Sequence, residues 1–134
     1  MTEQANEIRG EVEVTLDGQS FVLRPSWEAI LAIEKQTGRS VAQLAFAAEA
    51  HELTIETLAI IVTECIRAWG KSIERISVQG VQPDRIGELI FSEGLLKVIP
   101  RVAIVLLRAV TGGVLPSGEP KATGTTTPAT PVAE

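Results

Sequence analysis

The dipeptide Asp17-Gly18 stands between two short runs of alternating apolar residues, and few backbone arrangements accept that pattern. A two-residue type I′ turn needs φ > 0 at both central positions, which Asp-Gly adopts at low cost, so the spacing predicts a β-hairpin over residues 11–24. Val12, Val14 and Leu16 share one face of the first strand, and Phe21 and Leu23 share it on the second. The turn sets Leu16 opposite Gln19, Val14 opposite Phe21 and Val12 opposite Leu23. A slip of one residue would expose the whole apolar set, so the register is well specified.

An isolated hairpin is marginal in water, and its apolar face needs a cover. The chain continues at once into an amphipathic helix, expected over 26–37. Pro25 and Ser26 suit its first turn. Trp27, Ile30, Leu31 and Glu34 follow at helical spacing, with Ala29, Ala32 and Ile33 on the flanks. Trp27 and Ile30 are expected to face the hairpin. Gly38 fits a left-handed helix stop. Ser40 and Gln43 form an S-x-x-Q capping box for the next helix.

These residues fall into three linked motifs. Gly10, Glu11, Val12, Leu16, Asp17 and Gly18 make a G-E-V-x-x-x-L-D-G hairpin, and Arg24, Pro25 and Ser26 make an R-P-[ST] step. Ala29, Ile33, Glu34, Thr37, Gly38, Arg39 and Ser40 make a helix of the A-x-x-x-I-E-x-x-T-G-R-S type. In this order and spacing the chain resembles the small tail assembly chaperones of tailed phages and of phage-derived gene transfer agents, a family whose members are also labelled tail tube proteins. The likeness is close from Gly10 to Ser40 and looser over the helical remainder up to LLRAVTGG. It implies a non-enzymatic protein that binds the tape measure protein, a long helical chain rich in apolar segments, and keeps it soluble until the tail tube polymerises around it. It also implies a longer form made by translational frameshifting, the tail tube protein as a second partner, and a bacterial host.

Composition agrees with a single domain. A chain of 134 residues is long enough to remove roughly 65 to 70% of its unfolded surface from water. The lone Cys65 cannot form an internal disulfide, and no N-terminal stretch reads as a signal peptide, so the expected compartment is the cytoplasm. The net charge of -5 argues against nucleic acid as a partner, because phosphate contacts need clustered Lys and Arg. Residues 1–56 carry 4 basic and 10 acidic groups, and residues 57–134 carry 8 and 7. The acidic half reads as a solvated surface.

Three more helices are expected within the remainder. The first, 40–51, puts Val41, Leu44, Ala45 and Ala48 on one side. The second, 54–69, starts at Thr54 and stops at Gly70, with Ile55, Leu58, Ile61, Val62, Cys65, Ile66 and Trp69 opposite Glu56, Thr63, Glu64 and Arg67. Ile60 falls on the polar side and is a candidate partner contact. Residues 71–82 read as a connector, and Pro83 or Asp84 opens the third, over 83–93.

A last helix is expected over 95–111, with Gly94 and Pro100 as interruptions. Lys97, Arg101 and Arg108 exclude a membrane span. At about 100° per residue these cations form one narrow stripe, with apolar residues around the rest of the helix. Such a helix must be covered nearly all round. It is either a central core helix or one that leaves Leu96, Val98, Val102 or Val105 lining an interface with a subunit or client. Beyond residue 113 the composition turns to Pro, Thr and small residues, so 114–134 is expected to be a disordered tail, and 1–9 a flexible N-terminus.

Catalytic and metal-binding patterns are absent from this reading. His51 is the only histidine, and Cys65 sits in an apolar helical face with no histidine at a compatible spacing. Gly-rich phosphate loops and paired carboxylates are missing, so no catalytic residue, cofactor or metal is assigned. The expected architecture is α+β and mostly α: an N-terminal two-stranded hairpin on four to five helices, one domain over 10–113. The leading function is a tail assembly chaperone. The alternatives are a structural tail component, such as a tail tube or tail terminator subunit, and an oligomeric scaffold unrelated to phages; a homo-oligomer is compatible with each.

Overall fold

A computed structural model describes residues 11–121. The expected N-terminus 1–9 and the expected tail beyond residue 121 lie outside the described residues. Strands β1 (Val12–Leu16) and β2 (Gln19–Leu23) pair antiparallel in the register that the turn dictates, Val12 with Leu23 and Val14 with Phe21. Asp17 and Gly18 both have positive φ, 54° and 79°. This two-stranded ribbon is the only sheet among the described residues.

Six helices follow: α1 (Trp27–Thr37), α2 (Val41–Glu49), α3 (Ile55–Ser72), α4 (Ile76–Gln79), α5 (Pro83–Glu93) and α6 (Leu95–Val110). The α+β, mostly helical class is therefore as expected. The caps form as read. Ser26 Oγ accepts from Ala29 N–H at 3.1 Å, Gly38 closes α1 with φ 69°, and Ser40 and Gln43 complete the capping box of α2. Pro100 does not break α6. As the sixth residue of the helix it deprives only the carbonyl of Leu96, in the exposed first turn, of a partner.

Gly70 does not stop α3. A Cβ there would lie 2.8 Å from the Gln79 backbone nitrogen and 2.9 Å from Val78 Cγ1. The glycine instead lets α4, inside the expected connector, lie directly on α3. The central helix of the fold is α3, not α6. It meets α1, α4, α5, α6 and β2, and even Thr63 and Glu64 from its polar side are buried. Glu64 is held by Gln36 Nε2 at 2.6 Å and Arg67 Nη1 at 3.1 Å, while Arg67 Nε donates to the Val81 carbonyl at 2.9 Å. Burial of that carboxylate is tolerable because Oε2 accepts from both an amide and a guanidinium, the latter an opposite charge.

The hairpin is covered by α3, α5 and α6 instead of by α1. Trp27 is 62% exposed, and α1 turns Ala29 and Ile33 inward against α3. The reason is capacity: α1 has a narrow apolar stripe, whereas α3 and α6 are longer and carry wider ones. Val22, on the opposite face of the ribbon from Val14, is also buried, so that face is not free at its far end.

Residues 114–121, expected to belong to a disordered tail, fold back as a strap instead. Val114 bridges Pro120, and Lys121 N–H donates to the Gly113 carbonyl at 2.9 Å. The Pro116 carbonyl accepts the Trp27 N–H at 2.8 Å, which satisfies an orphan donor at the start of α1. Gly118 is buried, and a Cβ on it would lie 2.8 Å from the Ser26 nitrogen. Composition missed the strap because backbone contacts, not apolar side chains, hold it.

Candidate functional site

The motif residues that carry the family resemblance build joints of the fold. Glu11 and Arg24 pair at 2.9 Å across the open end of the hairpin. Glu34 Oε2 accepts the Val41 N–H at 2.9 Å, so the end of α1 holds the start of α2. Thr37 Oγ donates to the Ile33 carbonyl at 2.8 Å. Since these side chains are committed to architecture, a functional surface has to be sought elsewhere.

The interface candidates on α6 divide. Val98, Val102 and Val105 are buried in the core with Ile99 and Leu106, which corrects their expected place at an interface. Leu96 is 71% exposed. Both flanks of the Lys97–Arg101–Arg108 stripe are apolar, and only packing decides which is inward. The core takes the broader flank, the one that includes Val98 and Val105.

The other flank remains open. Leu96, Pro100, Ala103, Leu107 and Val110 recur at steps of 4, 3, 4 and 3, the spacing of a coiled-coil seam. They span about 80° of the helix at about 100° per residue, and Ile104 widens the stripe toward the cations. Leu96, Ile104, Leu107 and Val110 are exposed and Ala103 half-buried. The signal was present in the sequence, but it was hidden by an equally apolar stripe at almost the same spacing on the core side.

Ile60 is half-buried and lines a groove between α3 and α5 of about 790 Å³. The wall also includes Ile55 and Phe91, which are exposed, and Ala59 and Gly87 are its small residues, close enough that a Cβ on Gly87 would lie 3.4 Å from Ala59 Cβ. Asp17, Glu56, Asp84 and Glu88 line the groove against one cation, Arg85, which is itself paired with Glu88 at 3.4 Å. The groove is apolar within and acidic around. Ile60 and Leu96 thus belong to two separate surfaces of opposite charge.

Cys65 is fully buried, and burial, aided by the neighbouring Glu64 carboxylate, pushes its thiol up to about 12. A thiol in that state is a poor nucleophile. His51 is exposed beyond α2 with φ 58°. Among the described residues no three His, Cys, Asp or Glu side chains are grouped to hold a metal ion. No helix among them is long and apolar enough to cross a membrane.

Residues 9–112 match a family described as phage tail tube protein, GTA-gp10. No curated protein and no solved structure matches.

Proposed function

The chain belongs to the phage tail tube protein, GTA-gp10 family, and from that premise we propose that this member is a non-enzymatic tail assembly chaperone. Its client is the tape measure protein, whose long apolar helices need cover before the tube assembles. The observation that carries this reading is the open seam on α6, with Leu96, Pro100, Ala103, Leu107 and Val110 at coiled-coil spacing. An amphipathic client helix can lay its own seam there, as helix-in-groove recognition requires. Lys97 and Arg101, exposed beside the seam, favour client segments with acidic flanks.

The family description favours a second reading, a structural tube subunit. A tube wall needs strands that continue from subunit to subunit. The described residues offer a single hairpin of two five-residue strands, two of whose neighbours, α5 and α6, already cover β1. The chaperone reading asks less of this fold.

The test is to express the tape measure protein with and without this chain and to measure its soluble fraction, then to assay purified particles for the chain. Client solubility that depends on the chain, with the chain absent from particles, supports the chaperone. Stoichiometric presence in particles with no effect on client solubility replaces it with the tube subunit.

A further inference from the structure

Two exposed surfaces of this chain complement each other in charge. The α6 seam carries Lys97 and Arg101 along its edge and no acidic residue anywhere in the helix. The α3–α5 groove carries Asp17, Glu56, Asp84 and Glu88 around apolar walls of Ile55, Ile60 and Phe91. Neither Lys97 nor Arg101, and neither Glu56 nor Asp84, makes an ion pair among the described residues. The lengths agree as well. The groove follows α5 from Pro83 to Ser92, about 14 Å at 1.5 Å per residue, and Leu96 to Leu107 spans about 16 Å. Phe91, 73% exposed, supplies the kind of aromatic anchor that interfaces favour.

We propose that a second copy of this chain docks its α6 seam in the α3–α5 groove, so that the protein self-associates head to tail. Leu96, Ile104 and Leu107 of one copy enter between Ile60 and Phe91 of the next, and Lys97 and Arg101 meet the groove's carboxylates. A direct seam-to-seam pairing of two α6 helices is disfavoured, because in an antiparallel pair the two basic edges would face each other. Each copy donates one surface and accepts on the other. Such a contact is heterologous, and it builds a ring or an open chain unless two copies exchange helices reciprocally. The inference goes beyond the chaperone reading and adds regulation to it: a neighbour's groove covers the seam until a client helix competes for it.

The experiment uses the purified full chain without client, followed by sedimentation velocity over a concentration series at low salt. The wild-type mass should rise with concentration, and added salt should reverse the rise. Lys97→Glu with Arg101→Glu removes the donor surface, and Glu56→Lys with Glu88→Lys removes the acceptor. All four positions are exposed, so both variants keep the wild-type circular dichroism, and each alone should associate about tenfold more weakly or worse. An equimolar mixture of the two retains one good donor and one good acceptor and should stop at a two-chain species. A monomeric wild type overturns the proposal, as does a groove variant that associates normally or a mixture that stays monomeric. Client solubilisation separates this result from the chaperone reading: the groove variant keeps its seam open and should still hold the tape measure protein, whereas normal self-association without client binding would sink the chaperone and leave this interface standing.

Discussion

Glu11 and Arg24 face each other at the open end of the hairpin, 2.9 Å apart, with their side chains only 9% and 10% exposed. The pair lies one step beyond the Val12–Leu23 register, and the backbone N–H of Arg24 donates to the Cys65 carbonyl at 3.2 Å. Glu119 of the strap stands 3.9 Å from the same guanidinium. One buried arginine therefore ties the hairpin, the central helix and the C-terminal strap together. Removing Glu11 alone leaves that buried guanidinium with only the looser contact to Glu119, so Glu11→Gln should cost on the order of 3 kcal/mol in urea denaturation. Replacing both residues by leucine should recover most of the loss; an equal loss in the double variant would mean that the pair itself, and not the stranded charge, is what matters.

The turn makes a separate prediction. A Cβ on Gly18 would meet nothing within 4 Å, so only the positive φ of 79° opposes a side chain there. Gly18→Val should cost about 1–3 kcal/mol. Gly18→Asn, which tolerates the left-handed region, should cost much less. Equal stability of the valine variant and wild type would contradict the type I′ turn.

Truncation should expose the strap. A chain ending at residue 113 loses the Pro116 carbonyl that accepts from Trp27 and the carboxylate of Glu119 near Arg24. Compared with a chain ending at 121, it should melt several degrees lower, by about 4 °C for each kcal/mol lost in a domain of this size. Identical melting temperatures would show that the strap adds nothing to stability.

How far the fold could be read from the sequence depended on which interactions decide each element. The hairpin, its register, both serine caps and the Gly38 stop are local, set by a few neighbouring residues, and all were legible. What was not legible is set by competition between distant surfaces. Trp27 looked like the hairpin's cover but lost that place to α3, α5 and α6. Gly70 looked like a helix stop and is a point of close contact. On α6 two apolar flanks border one basic stripe, and the sequence alone could not rank Val98 and Val105 against Leu96 and Leu107. The groove beside Ile60 needs α3 and α5 to lie together, so single-helix periodicity could show only that Ile60 was out of place.

Cys65 gives the chain a pH dependence at the alkaline end. Burial raises its thiol from 9.0 to about 12. Between those values the unfolded chain releases a proton that the folded chain keeps, so stability falls as pH rises, by about 1.4 kcal/mol per pH unit from this group. Below pH 9 the contribution is fully present. Cys65→Ala should be less stable at neutral pH through lost packing, yet its stability should decline less steeply above pH 9. Parallel slopes for the two proteins would remove the thiol as the cause.

The two flanks of α6 can be told apart by one charge on each. Val102 is wholly buried, so Val102→Asp places a carboxylate where nothing pairs with it, and the domain should lose several kcal/mol or fail to fold, of order 3 or more. Leu107 is 43% exposed on the opposite side of the helix, and Leu107→Asp should leave circular dichroism and melting nearly unchanged. The same substitution puts a charge in the middle of the seam that the chaperone reading assigns to the client. Its soluble, folded product should no longer keep the tape measure protein in solution when the two are expressed together. If Leu107→Asp folds and still solubilises the client, the seam is not the binding surface, and the α3–α5 groove around Ile60 takes its place.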